Sequence, residues 1–173
     1  HELRFVDVRS FGEMWWVPPD VELTVGIPGL ARLGPEPFSE AFNAPYLKRQ
    51  LKNSSRPIKT ALLDQALVAG VGNIYADESL FSAGIPPLTP AGRLTLAQLE
   101  RLRSSLVEVL TTSIGAGGTT FSDFRDLEGV NGNYGGQAWV YRRGGEPCRR
   151  CGTIIRRDKL SGRSTHWCPT CQG

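Results

Sequence analysis

Four cysteines constrain this chain more than any other feature. Cys148, Cys151, Cys168 and Cys171 stand as C-x2-C, sixteen intervening residues, then C-x2-C. Each pair can turn its sulfurs toward one point through a tight knuckle. Four thiolates then close a tetrahedral zinc shell with no open coordination position. The spacing predicts one Zn²⁺ that is structural rather than catalytic. Two disulfides are disfavoured, since no secretory pattern is visible, and a redox C-x2-C does not come in two matched copies. His166 precedes Cys168 by two residues and reads as a strand residue, because four sulfurs already fill the shell.

Between the cysteine pairs, GTIIRRDKLSGRSTHW reads as a β-hairpin whose turn, around Leu160 to Gly162, displays Arg163. Residues 142–173 carry eight Lys or Arg against Glu146 and Asp158, a formal +6, so the first 141 residues hold −3 of the overall +3. Zinc with four thiolates keeps a residual charge of about −2, which leaves the hairpin region at roughly +4. A basic end of this kind attracts polyanions through counterion release, and a solvated basic face would look the same. A zinc ribbon with a basic hairpin binds nucleic acid or a protein partner, and the charge favours nucleic acid.

Elsewhere the composition is that of a globular chain, 40% hydrophobic and 21% charged. The apolar run Ala61 to Val71 is broken by Asp64 and Gln65 and is far shorter than a membrane span, so no transmembrane segment is expected and the chain is assigned to the cytoplasm. Residues 3–17, LRFVDVRSFGEMWWV, alternate with period two and read as one or two strands. Such strands alone would expose unpaired edges together with Trp15 and Trp16. Prolines and glycines then mark a linker, which puts a domain boundary near residue 28. Helices are expected over roughly 39–53, 57–69, 73–83 and 95–114, with Pro45 and Pro57 in first turns and Gly70 and Gly84 at helix ends. Thr95 to Gln98 is a capping-box candidate ahead of the core stripe Leu99, Leu102, Leu106, Val109 and Leu110. Residues 115–136 form a glycine-rich loop too long for a plain connector, and QAWVYRR restores strand character.

In AGVGNIYADE, residues 69–78, two glycines interrupt helical surroundings at about 1 kcal/mol each relative to alanine. Gly70 can take positive φ, Gly72 can admit a ligand to the backbone, and Asn73 suits an N-cap. Free N–H groups at a helix start form an anion site, although an ordinary helix-turn-helix corner has the same pattern.

Several segments in order resemble the formamidopyrimidine-DNA glycosylase family, which is related to endonuclease VIII. They are DVRSFG (7–12), LGPEP (33–37), IKTALLDQALVAGVGNIYADESLF (58–81), GGTTFSDF (117–124), VYRRGGEPC (140–148) and the four-cysteine ribbon. The resemblance implies an α+β fold in three parts: the tail of an N-terminal β-sandwich (1–28), a helix-two-turn-helix domain with the glycine-rich lesion loop (29–136), and a zinc-finger β-hairpin (137–173). It implies a monomer, associated with DNA in a bacterial cytoplasm, that binds double-stranded DNA with an oxidised base or an abasic site. Asn73, Tyr141 and Arg163 match phosphate contacts of the family, and Arg163 also matches the arginine of the second elimination step. Arg9 and Phe11 resemble the pair that enters the duplex, where an inserted ring partly restores the stacking lost on base flipping. Lys59 matches a lysine near the damaged-base pocket. Glu78 lies in the same region, or is a glutamate facing the helix dipole. The loop 117–136 resembles the flap over an everted 8-oxoguanine.

Two departures stand out. Ser54 and Ser55 replace more basic residues beside Lys52 and Arg56. Family members begin with a proline whose amine attacks C1′ and a glutamate acting as acid/base. Here His1-Glu2-Leu3 matches a later place in the family sequence, so that proline, that glutamate and the β-elimination lysine are absent from these residues. The expectation is the C-terminal part of a bifunctional glycosylase and abasic-site lyase for oxidised purines, binding DNA without catalysis. A non-catalytic zinc-dependent DNA-binding module and an endonuclease VIII-type enzyme for oxidised pyrimidines are the alternatives.

Overall fold

A computed structural model describes residues 4–7, 12–119 and 132–173. The chain divides into two units, residues 1–33 and Gly34–Gly173. In the first, one helical turn, α1 (Leu23–Gly26), is followed by a 3-10 turn at Leu30–Arg32. The alternating stretch expected to form strands is not assigned to a strand at any described position between 4 and 17. Alternation fixes which face a strand would bury, but a strand exists only beside a partner edge, and none is present among the described residues. Trp16 is 84% exposed and Val6 81%.

The second unit begins with α2 (Ala44–Gln50), where the Asn43 side chain accepts from the Tyr46 N–H and Pro45 occupies the first turn. The helix therefore starts five residues later than the pattern suggested. Next comes α3 (Ile58–Leu62), with Pro57 at its N-cap. It is far shorter than the expected 57–69. Asp64 Oδ1 accepts from the Ala66 N–H at 3.1 Å, a local bond that competes with continued helix. The chain then turns through Gly70 at φ +76°, whose N–H donates to Gln65 Oε1. Gly70 thus serves a turn and not the helix end expected of it.

From Gly72 the chain enters α4 (Asn73–Ala83), closed by Gly84 in the left-handed conformation. Thr95 and Gln98 form the capping box of α5 (Leu96–Gly115), and the predicted stripe Leu99, Leu102, Leu106, Val109 and Leu110 is buried. These leucines join Leu47, Leu51, Ile58, Leu62 and Leu80 in the main core. Among the described residues no helix is long and apolar enough to cross a membrane.

A single turn, α6 (Tyr134–Gln137), leads into residues 138–143, which form no strand. The N–H groups of Trp139, Val140 and Tyr141 go to a carboxylate instead of a neighbouring strand, as described below. The predicted hairpin is present as β1 (Arg156–Leu160) and β2 (Arg163–Trp167), antiparallel with Leu160 opposite Arg163. Ser161 and Gly162, both at positive φ, make its two-residue turn. Phe81 of α4 is buried with Val140, Cys148, Ile155 and Cys168 in a second, smaller core.

Candidate functional site

The four cysteine sulfurs lie within 4.8 Å of one another. Cys148 Sγ is 3.9 Å from Cys171 Sγ, and Cys151 Sγ is 3.4 Å from Cys168 Sγ. A tetrahedral shell with Zn–S near 2.3 Å needs sulfurs roughly 3.8 Å apart, and the set brackets that spacing. The knuckles are built by backbone: Gly152 N–H donates to Cys148 O, and Gln172 N–H donates to Cys168 O. The Gln172 side chain adds a tie that the sequence did not disclose. Its Oε1 accepts from Cys168 N–H and its Nε2 donates to Ile85 O, both at 2.9 Å, fixing the second knuckle to the helical body. The cysteines hold one structural zinc ion, which supplies a cross-link for the hairpin and no chemistry.

Beside the hairpin, Gly72 rather than Asn73 is the N-cap of α4, which corrects the sequence expectation. Asn73 is the first helical residue, and its Nδ2 donates to Ser164 O at 3.0 Å. The first N–H groups of α4 have no acceptor within the helix. A Cβ at Gly72 would meet nothing within 4 Å, so the approach to them is open. Arg163 is exposed one residue before Ser164. The Tyr141 ring stands edge-on to His166 with centroids 5.1 Å apart. A cleft of about 340 Å³ is lined by Tyr141, Arg142, Gly144, Arg157, Ser164 and His166. Asn73, Tyr141 and Arg163, far apart in sequence, are thus gathered around β2. Open helix N–H groups beside arginines suit an anion.

Lys59 does not share that surface. Lys59, which the resemblance put near the damaged-base pocket, is fully buried among the described residues. Its ammonium lies 2.7 Å from Asp77 Oδ1, 2.6 Å from Ser164 O and 2.9 Å from Thr165 Oγ1. Three acceptors occupy its three donors. Burial pulls the Lys59 pKa down while Asp77 pushes it back up. Asp77 Oδ2 in turn accepts from the His166 N–H at 3.0 Å and contacts His166 Nδ1 at 3.1 Å.

Glu78, the next residue, sits mid-helix and 1% exposed, away from the helix dipole. Its carboxylate accepts from three consecutive N–H groups, Trp139 at 2.8 Å, Val140 at 2.9 Å and Tyr141 at 2.8 Å. Burial pushes the Glu78 carboxyl up, and these three donors oppose it. The clamp sets the backbone of Tyr141 at the mouth of the cleft. Arg9 and Phe11, and residues 120–131 of the expected lesion loop, lie outside the described residues. Arg56 pairs with Asp64 at 3.0 Å.

A helix-two-turn-helix body bearing a four-cysteine zinc hairpin defines the class. Residues 33–125 match the formamidopyrimidine-DNA glycosylase H2TH domain, and residues 145–173 match the zinc finger found in FPG and IleRS. The chain belongs to the formamidopyrimidine-DNA glycosylase family. Over all 173 residues it is 99% identical to the formamidopyrimidine-DNA glycosylase of Parasynechococcus marenigrum (strain WH8102), spanning 62% of that protein's length. The crystal structure of MutM (Fpg) from Thermus thermophilus superposes with a TM-score of 0.81 at 51% identity, covering 87% of this chain and 57% of that one. A complex of Lactococcus lactis Fpg with abasic-site DNA gives 0.78 at 38% identity, covering 86% and 55%.

Proposed function

We propose that this chain grips damaged double-stranded DNA in base-excision repair, as part of a bifunctional glycosylase and abasic-site lyase for oxidised purines such as 8-oxoguanine and formamidopyrimidines. The observation that carries the reading is the convergence of the open α4 N-terminus, Asn73, Tyr141 and Arg163 on one strand of a zinc-fixed hairpin. Helix N–H groups and an arginine together take a backbone phosphate, which positions a duplex without reading its sequence. Lactococcus lactis Fpg, which has this fold, was solved with abasic-site DNA and with Fapy-dG DNA, which supports the choice of partner.

In this reading Asn73, Tyr141 and Arg163 hold phosphates beside the lesion, and Arg163 serves the second elimination step. Arg9 and Phe11 enter the duplex, arginine facing the opposite base and the ring filling the stack. Lys59 acts from beneath the surface. A polypeptide of these 173 residues and no others binds such DNA without cutting it, because the proline nucleophile, its glutamate and the β-elimination lysine have no counterpart among them.

The test is an abasic-site duplex titrated with the zinc-loaded chain, followed by borohydride. Saturable binding with no covalent adduct is expected. An adduct overturns the missing nucleophile, and no preference for duplex over a neutral competitor overturns the DNA reading. Asn73→Ala should weaken binding alike across DNA sequences, whereas a sequence-selective loss contradicts a backbone contact.

A further inference from the structure

Where α3, α4 and β2 meet, Lys59, Asp77, His166, Thr165, Ser164 and Asn73 share a single network. A buried carboxylate and a buried ammonium are costly to desolvate, and an apolar pair of similar size would anchor a hairpin at least as well. The network provides geometry that apolar packing cannot. It seizes β2 at three consecutive residues: Ser164 through its carbonyl, Thr165 through its hydroxyl and His166 through its N–H. One atom belongs both to this buried pair and to the open turn. The Ser164 carbonyl oxygen accepts from Lys59 Nζ at 2.6 Å and from Asn73 Nδ2 at 3.0 Å. That second bond holds the Asn73 amide, whose Oδ1 is buried without a hydrogen-bond partner, in one orientation. Nδ2 also donates to Ser164 Oγ at 3.4 Å, so the same residue of β2 holds both amide hydrogens.

We infer that Asp77 and Lys59 are positioning residues for the phosphate clamp: acting through the Ser164 carbonyl, they fix β2, and Arg163 with it, against the Asn73 turn. The inference rests on the DNA-binding reading above. Neither residue touches DNA. Asp77 orients Lys59 and the His166 backbone, Lys59 orients Ser164, and Ser164 orients Asn73.

Lys59→Met/Asp77→Asn removes both charges, keeps side-chain volume and leaves an acceptor for the His166 N–H. The double variant is expected to retain one zinc per chain and a cooperative thermal transition, as charge-free replacements of buried pairs often do. Its affinity for an abasic-site duplex should fall by about tenfold or more, and adding Asn73→Ala should then cost less than about twofold, since coupled positions are not additive. Full duplex affinity in the double variant, or an undiminished Asn73→Ala effect within it, overturns the inference and leaves the network a structural anchor. If the double variant loses zinc, Thr165→Val decides, since it removes one Lys59 acceptor at constant volume. A loss of about threefold in duplex affinity with zinc retained is expected, and unchanged affinity overturns the inference. An unsubstituted chain that ignores the duplex overturns the DNA reading and this inference with it. A chain that binds but shows additive substitutions overturns the inference alone.

Discussion

Two adjacent acids on α4, Asp77 and Glu78, hold different parts of the chain, one the hairpin strand and the other the segment that carries Tyr141. Glu78→Ala would leave three N–H groups without their acceptor, at about 1–3 kcal/mol for each that stays buried. A loss of roughly 3 kcal/mol or more in denaturant unfolding is the expected outcome, with Glu78→Gln recovering part of it through its remaining oxygen. An unchanged midpoint contradicts the clamp. Neither role was legible locally: Glu78 reads as a glutamate near a helix start, and the groups it binds lie some sixty residues away. A weaker signal was available, since Asp77-Glu78 interrupts a segment otherwise rich in apolar residues with no cation beside it. The surface acid Asp64 behaves more simply. The hydrogen bond from Arg56, with the Ala66 N–H adding to it, holds its carboxyl below the ordinary 3.8. The unfolded chain therefore binds this proton more readily, so the Asp64 contribution is present above about pH 4 and is lost as pH falls through the lower folded value. Asp64→Asn should flatten that acid limb slightly, because the pair is half exposed to solvent. An acid limb identical to that of the unsubstituted chain contradicts the shift.

At the scale of elements, legibility followed the range of the forces involved. The capping box, the α5 stripe, the left-handed Gly84 and the hairpin turn are decided by residues within a few positions of one another, and all four are present as read. Thr95→Ala should accordingly cost about 1 kcal/mol, read from the thermal midpoint. Gly70→Ala should cost a similar amount from its φ of +76° alone, because its added Cβ meets nothing within 4 Å. The strands expected at 3–17 and 137–143 share the opposite property. Both have strand-like composition, yet a strand is defined by its partner. At 139–141 the donors were captured by Glu78, and at the described positions of 4–17 no partner edge is present. The length of α3 was misjudged for a related reason, since apolar residues continue past Asp64 while the Asp64 side chain ends the helix. The candidate site shows the same division. The zinc ligands could be read from spacing, whereas the buried position of Lys59 required knowing what packs over it.

For the second unit as a whole, the two cores predict how it responds to loss of its metal. The main core draws on α2 to α5 and contains none of the cysteines, while the smaller core holds Cys148 and Cys168 themselves around Phe81, Val140 and Ile155. So small a set cannot order residues 145–173 unaided, and small domains of this kind depend on a metal or a disulfide. Stripping zinc with a chelator under reducing conditions should therefore release amide-exchange protection across both knuckles, while α5 keeps its protection and its helical circular dichroism. The Lys59–Asp77–His166 network sits between these regions and ties β2 to the helical body independently of the metal. Protection at Thr165 and His166 should accordingly outlast protection at Cys148 and Gly152. Duplex binding is expected to follow β2 more closely than the knuckles, since Arg163 lies on that strand and the Tyr141 ring packs against His166. If knuckles and β2 instead lose protection together, the buried network does not anchor the strand. If neither changes on complete zinc removal, the four cysteines are not what holds the hairpin.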